Sequence, residues 1–481
     1  MDKKRVLSGF LWRFLERCGA QGVSLVVSIV LARLLDPTIY GTIALITVFT
    51  NILQTFIDGG FGTALIQKKD ADNVDFSTVF FFNLFVCITI YIGMFFAAPY
   101  IALYYGNAEL TSLIRVLSII LLISGVKNIQ QAYVSRHMLF KKFFFSTLGG
   151  TIIAGTVGIV MAYNGYGAWA LVTQFLVNAT IDTSILWITV KWRPQFVFSL
   201  NRLKGLFSYG WKLLVSKLFD RLITEARSLI IGKKYSSADL AYYNRGETYP
   251  NLIISNIDTA IDSVLLPTMS KEQENVEAVK SMARRSIRLS SYIIIPMMVG
   301  FAVCAEPIVS IVLTEKWLPC VFYLRLFCIN YSLWPIHTAN VNAIKALGRS
   351  DVFLKIDIIK RIVGLVAIVS TMWFGVKPMA IGMLFASIIN QVINAWPNRK
   401  LLNYSIKEQI KDIVPAIGLS FIMGIIVVLL GMLINQNTIK LIVQVLVGIC
   451  VYVMLSYATK NDSYVYIKLI LNSIIHVRRR S

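Results

Sequence analysis

The chain has 481 residues, of which 56% are hydrophobic and only 15% charged, a balance that excludes an ordinary soluble domain. Apolar stretches of about 20 residues, each long enough to span a bilayer, recur from end to end, and the loops between them are too short to fold as a catalytic domain. The formal net charge of +22 therefore sits in short loops, where it sets membrane topology rather than binding nucleic acid.

In chain order, the pattern predicts fourteen helices: 8–34, 39–66, 76–103, 110–135, 144–163, 167–190, 205–231, 242–268, 286–313, 320–344, 352–374, 379–396, 412–433 and 439–458. Asp36-Pro37, Tyr105-Gly106-Asn107, Asn164-Gly165 and Asn435-Gln436-Asn437 break the pattern between them. Met1 to Arg5 is basic and precedes an apolar run, as in a signal peptide. Arg13, Glu16 and Arg17 interrupt that run and no small-residue cleavage site follows, so the segment reads as a retained first span. Alternate loops hold 29 Lys and Arg on one side and only Lys233, Lys234, Lys316 and Lys377 on the other. The positive-inside rule then places both termini in the cytoplasm, as an even number of spans requires.

Two of these helices carry the same polar stripe. Arg13, Glu16, Arg17, Gln21 and Ser24 fall at i, i+3, i+4, i+8 and i+11 of the first, and Lys217, Asp220, Arg221, Glu225 and Ser228 repeat that spacing in the seventh, which is one face of an α-helix. The second and eighth helices also correspond: Thr47, Asn51, Gln54 and Asp58 match Asn251, Ser255, Asp258 and Asp262. The chain thus parses as two parallel six-helix lobes, 1–190 and 205–400, joined by a basic cytoplasmic linker at 191–204. Residues 401–481 add helices 13 and 14 and a cytoplasmic tail.

An intramembrane charge costs about 3 kcal/mol on insertion scales, so the seven charges of the two stripes would cost on the order of 20 kcal/mol facing lipid. A wet functional cavity is the expected setting. Arg13, Arg17, Gln21, Lys217 and Arg221, with Arg227 and Arg245 toward the outer end of the second half, are the candidate substrate-binding groups, because guanidinium and ammonium groups receive phosphate through charge-assisted hydrogen bonds. Glu16, Asp58, Asp220, Glu225, Asp258 and Asp262 are the candidate ion-coupling groups. The competing reading is structural: Arg17–Gln21 and Arg221–Glu225 are i,i+4 pairs able to satisfy one another, and Arg13 can snorkel. Arg115, Lys127, Asp182, Glu306 and Arg325 read as anchors or local pairs, His337 as a hydrogen-bonded interior histidine, and Phe80-Phe81-Phe82 and Phe143-Phe144-Phe145 as interfacial belts. The six cysteines lack metal or redox spacing. No G-x-x-x-x-G-K-[ST], HExxH or GxSxG motif is present, so the chain reads as a non-enzyme that needs no cofactor, metal or ATP hydrolysis.

Ala32-Arg33-Leu34-Leu35-Asp36-Pro37, then Tyr40-Gly41, then Gly60-Phe61-Gly62-Thr63-Ala64-Leu65-Ile66-Gln67-Lys68 resemble the amino-terminal signature of bacterial Wzx-type polysaccharide flippases of the multidrug/oligosaccharidyl-lipid/polysaccharide exporter superfamily. Ile231-Gly232 through Leu240-Ala241-Tyr242-Tyr243-Asn244-Arg245 resembles the second-half counterpart, with Ala241 in place of the family's usual glycine. The resemblance implies an all-α polytopic fold of two pseudo-symmetric lobes around a central cavity. It also implies translocation of undecaprenyl-diphosphate-linked oligosaccharide from the inner to the outer leaflet of the cytoplasmic membrane, by alternating access, for lipopolysaccharide, O-antigen, capsule or exopolysaccharide synthesis. The partners it implies are the lipid-linked oligosaccharide, membrane lipids, and a polysaccharide polymerase and chain-length regulator. The rival readings are an ion-coupled drug or metabolite antiporter of the same superfamily and a membrane glycosyltransferase or polymerase; the latter usually needs a large acidic outward loop, and none is present.

Overall fold

A computed structural model describes residues 3–58, 61–68 and 70–478; Gly60 of the signature and both chain ends lie outside them. The described residues form nineteen α-helices. The first unit carries α1 (Lys3–Leu34), α2 (Pro37–Ile57), α3 (Phe61–Gln67), α4 (Asn73–Tyr105), α5 (Glu109–Leu117), α6 (Ile119–Arg136), α7 (Phe140–Tyr163), α8 (Ala168–Thr189) and α9 (Leu200–Lys234). After α10 (Ser237–Lys271) come α11 (Val276–Val303), α12 (Ala305–Leu313), α13 (Cys320–Ser332), α14 (Trp334–Ala346), α15 (Ser350–Thr371), α16 (Val376–Leu401), α17 (Ile406–Met432), α18 (Asn437–Ala458) and α19 (Asp462–Arg478).

Eleven helical stretches among the described residues are long and apolar enough to cross a membrane. The segments 205–231, 320–344 and 352–374 do not meet that test, so the expected fourteen spans are not all reproduced on composition. Four predicted helices are each divided in two. Within the predicted helix 39–66, α2 ends at Ile57 with Asp58 as its C-cap, and α3 begins at Phe61. The predicted helix 320–344 breaks before Pro335, which sits in the first turn of α14, the position where its missing N–H costs least. The predicted tail contains α19. Asn461 Oδ1 caps it, accepting from the Ser463 and Tyr464 backbone N–H groups at 2.9 and 3.4 Å, while Tyr464 and Ile467 pack against Tyr292, Met423 and Tyr452.

The chain divides into two compact units, Met1–Ala241 and Tyr242–Ser481. That division falls one helix later than the expected linker at 191–204: α9, expected to open the second lobe, packs instead on α2, α3 and α4. Leu203 and Leu206 explain this, since both enter a core built around Phe61, Phe76, Phe80 and Trp192. One ring of each predicted aromatic belt, Phe80 and Phe143, is buried in that core, whereas Phe145 is exposed.

The signature residues have local structural work. Arg136, at the end of α6, donates Nη1–H to the carbonyls of Leu65 (2.8 Å), Ile66 (3.3 Å) and Lys68 (2.5 Å), satisfying the open end of α3. A Cβ on Gly41 would lie 1.7 Å from the Ser237 carbonyl oxygen, so α2 and the start of α10 can approach only through glycine. Where α4 begins, Asp72 and Asp75 form a capping box. The Asp75 backbone N–H and Arg202, 2.6 Å away, hold the Asp72 carboxyl below its ordinary range, tying the start of α9 to that of α4.

In the second unit, α11 packs against α17, α13 and α14. A buried amide network links its helices: Asn340 Nδ2 donates to Gln409 Oε1 at 2.7 Å, and Asn398 Nδ2 donates to Asn340 Oδ1 at 2.6 Å. His337 lies 2.7 Å from Asn394 Nδ2, the interior histidine expected.

Candidate functional site

The polar stripe of α9 meets that of α2 within the first unit. Arg221 is 3.1 Å from Glu225, the expected i,i+4 pair. Glu225 also accepts from Asn51 Nδ2 at 3.2 Å. Two turns further on, at the C-cap of α2, Asp58 accepts from Gln54 Nε2 at 3.2 Å and from Asn128 Nδ2 at 3.1 Å. Lys217 Nζ lies 3.4 Å from the Asp58 carbonyl oxygen. The cluster is therefore built by three helices: α2 supplies amides and Asp58, α6 supplies Asn128, and α9 supplies the cations and Glu225.

The stripe of α1 goes elsewhere. Arg13 pairs with Glu16 at 2.9 Å and its guanidinium lies over the Phe143 ring at 4.3 Å. Thr147 on α7 donates to Glu16 at 3.3 Å. Arg17 is exposed and has no carboxylate partner among the described residues; Gln21 is half-buried one turn above it. The described contacts thus bring together α2 with α9 and α1 with α7, not the two duplicated stripes with each other. Asp220 and Arg227 lie half-buried on α9.

In the second unit, the carboxylates of α10 meet α13 and α14. Thr338 donates to Asp258, Asn342 Nδ2 donates to Asp262 at 2.5 Å, and Tyr331 donates to Glu247 at 3.2 Å. Arg245 is 6% exposed and its guanidinium lies 5.1 Å from the Trp317 ring centre.

Sequence reasoning missed Asn128, Thr338 and Asn342. Asp58–Asn128 joins the second predicted helix to the fourth; Asp262–Asn342 joins the eighth to the tenth. The duplication therefore extends to a carboxylate and its amide partner in each half. The available signal was an asparagine in the second half of each predicted fourth helix, 110–135 and 320–344. The isolated charges are locally satisfied, as expected: Lys127–Asp182 at 3.0 Å, Arg325–Glu306 at 3.8 Å, and Arg115 against the Phe95 carbonyl at 3.1 Å.

Chemically, the α2–α9 cluster offers cations that keep donors to spare. The Arg221 side chain is 37% exposed and, among the described residues, shares one carboxylate, while a guanidinium carries five N–H donors. Residues 30–322, more than half of the chain, match the family described as polysaccharide biosynthesis protein. The chain belongs to that family. This polysaccharide biosynthesis protein is similar to the teichuronic acid biosynthesis protein TuaB of Bacillus subtilis, at 25% identity over 88% of each chain. It is also similar to the lipopolysaccharide biosynthesis protein WzxC of Escherichia coli, at 22% identity over 88% of each, and to the succinoglycan biosynthesis transport protein ExoT of Rhizobium meliloti, at 23% identity over 73% of this chain and 71% of that one. Its fold is that of the lipid II flippase MurJ in an inward closed conformation, with TM-score 0.78 at 15% identity, covering 94% of this chain and 99% of that one. An inward-facing multidrug resistance transporter of the MOP superfamily shares the fold, with TM-score 0.62 at 17% identity, covering 79% and 94%. The polysaccharide biosynthesis protein is thus a multi-pass membrane protein with a flippase-like transporter fold.

Proposed function

We propose that this protein flips polyprenyl-diphosphate-linked oligosaccharide, undecaprenyl in the expected case, from the cytoplasmic to the outer leaflet of the inner membrane by alternating access. The observation that carries the reading is the set of cations on helices packed within a polysaccharide-biosynthesis protein: Arg17 and Lys217 are exposed and Arg221 is only partly so. Guanidinium groups with open donors suit a diphosphate. Arg17, Lys217 and Arg221 take the diphosphate in this reading, with Arg13 and Gln21 flanking them. Arg227 and Arg245 are the secondary candidates. Asp58, Glu225, Asp258 and Asp262, each held by an amide or hydroxyl donor, serve coupling to an ion, with Glu16 and Asp220 beside them. A polymerase and chain-length regulator act on the delivered product.

Removing the protein from its host tests this reading. The expected result is accumulation of lipid-linked oligosaccharide on the cytoplasmic leaflet with loss of surface polymer; unchanged surface polymer would contradict it. The same reading places both termini in the cytoplasm, on the 29-to-4 division of basic residues. A cysteine introduced at Asn435 is expected to react with an impermeant thiol reagent added to intact spheroplasts. A cysteine introduced at Asp462, whose side chain is 88% exposed, is expected to react only after permeabilisation.

A further inference from the structure

One end of the second unit gathers three of its basic segments, 269–288, 397–411 and 459–478, around a single buried carboxylate. Asp412 receives Arg284 Nε at 2.8 Å, Arg288 Nη2 at 2.5 Å and the Tyr404 hydroxyl at 2.8 Å, and its side chain is 1% exposed. It acts as a pedestal under two guanidiniums whose side chains remain 39% and 36% exposed. Arg285 stands beside them with its guanidinium 4.6 Å from the Tyr466 ring centre and no carboxylate partner among the described residues. A cavity of about 260 Å³ opens over these three arginines. It shares Arg288, Asp462 and Ser463 with a second cavity of about 550 Å³ that adds Lys411 and Lys460. Five cations thus line the joined space against two carboxylates, Asp412 and Asp462, and Asp412 is already saturated.

The second cavity runs down α17. Its wall passes from Lys411 and Asp412 through Val414 and Gly418 to Ile422, about 16 Å along a helix at 1.5 Å per residue. Val414 and Ile422 are exposed along this stretch, and α17 is one of the helices apolar enough to cross a membrane. A soluble anion needs only the polar end. A ligand with an anionic phosphodiester at one end and an acyl chain at the other uses both.

We propose that this space is a binding site for an anionic glycerophospholipid of the leaflet that faces the basic loops, with the phosphodiester held by Arg285, Lys460 and the open donors of Arg284 and Arg288, and an acyl chain lying along Val414, Gly418 and Ile422. Basic pockets between membrane helices are chemically suited to such headgroups. The site is separate from the α2–α9 cluster and does not depend on what that cluster transports.

The test uses the full-length protein purified in detergent, with lipid retention read by native mass spectrometry. Wild type is expected to retain one phosphatidylglycerol at least about tenfold better than phosphatidylcholine, with about fivefold lost for each cation removed in Arg285→Gln and Lys460→Gln. Both residues are exposed, and neither touches Asp412, so the fold is expected to persist; Arg285→Lys keeps the charge and is expected to keep most of the retention. Lys355→Gln, on α15 and outside both cavities, is expected to retain lipid like wild type. Equal retention of the two lipids by wild type, or normal phosphatidylglycerol retention by the R285Q/K460Q double variant, would overturn the site. Displacement of the lipid by equimolar glycerol 3-phosphate or inorganic phosphate would overturn the lipid assignment in favour of a soluble anion.

Discussion

Arg221→Ala is expected to lower export of lipid-linked oligosaccharide by about 10- to 100-fold while the protein stays inserted and abundant, because a hydrogen bond to a charged group is worth about 1.5–3 kcal/mol. The partner left behind is not stranded: Glu225 keeps its bond from Asn51, so the loss falls on substrate rather than on the fold. Arg17→Ala provides the cleaner comparison, since Arg17 has no carboxylate partner among the described residues to leave unpaired. Lysine at either position is expected to restore only part of the activity, because an ammonium keeps the charge and loses the planar fork. The measurement is outer-leaflet oligosaccharide normalised to protein in the membrane. Normal export by both alanine variants would move the diphosphate to Arg227 and Arg245, or favour the antiporter reading.

Asp412→Ala has the largest expected effect on stability. It removes the acceptor of Arg284, Arg288 and Tyr404 together and leaves two guanidiniums side by side. Breaking a buried ion pair costs about 3–5 kcal/mol; the partial exposure of both arginines places this one near the lower end, about 3 kcal/mol. Thermal unfolding of the purified protein should show it as a marked drop in Tm. Asp412→Asn, which retains one acceptor oxygen, should fall between. An unchanged Tm for Asp412→Ala would mean that the pedestal does not hold α11 to α17.

Much of the fold is legible in the residues. Apolar runs of span length mark the helices, and the repeated stripe in 13–24 and 217–228 marks the duplication. Packing partners are less legible, because periodicity identifies a face and not what it meets. The α9 stripe turned toward α2 because Asn51 and Asp58 are within reach, and the α1 stripe toward α7 because Thr147 and Phe143 are. The division of the chain after Ala241 followed from Leu203 and Leu206 entering an aromatic core, a consequence of tertiary contact that no linker composition announces. α19 went unread because its first-turn cap is a single asparagine, Asn461, in a segment whose basic residues suggested a tail. Asn128 and Asn342 went unread because each stands among other amides, Gln130 and Gln131 in one helix and Asn330 and Asn340 in the other, and only the packed structure shows which of them meets a carboxylate.

Reconstitution decides the function most directly. Purified protein in sealed vesicles, with polyprenyl-diphosphate oligosaccharide in both leaflets and no nucleotide, should expose the inner-leaflet pool to an external glycosidase, and Arg221→Ala vesicles should expose it far more slowly. A protected pool as large and as long-lived as in protein-free vesicles, under every ion gradient imposed, would contradict the flippase assignment.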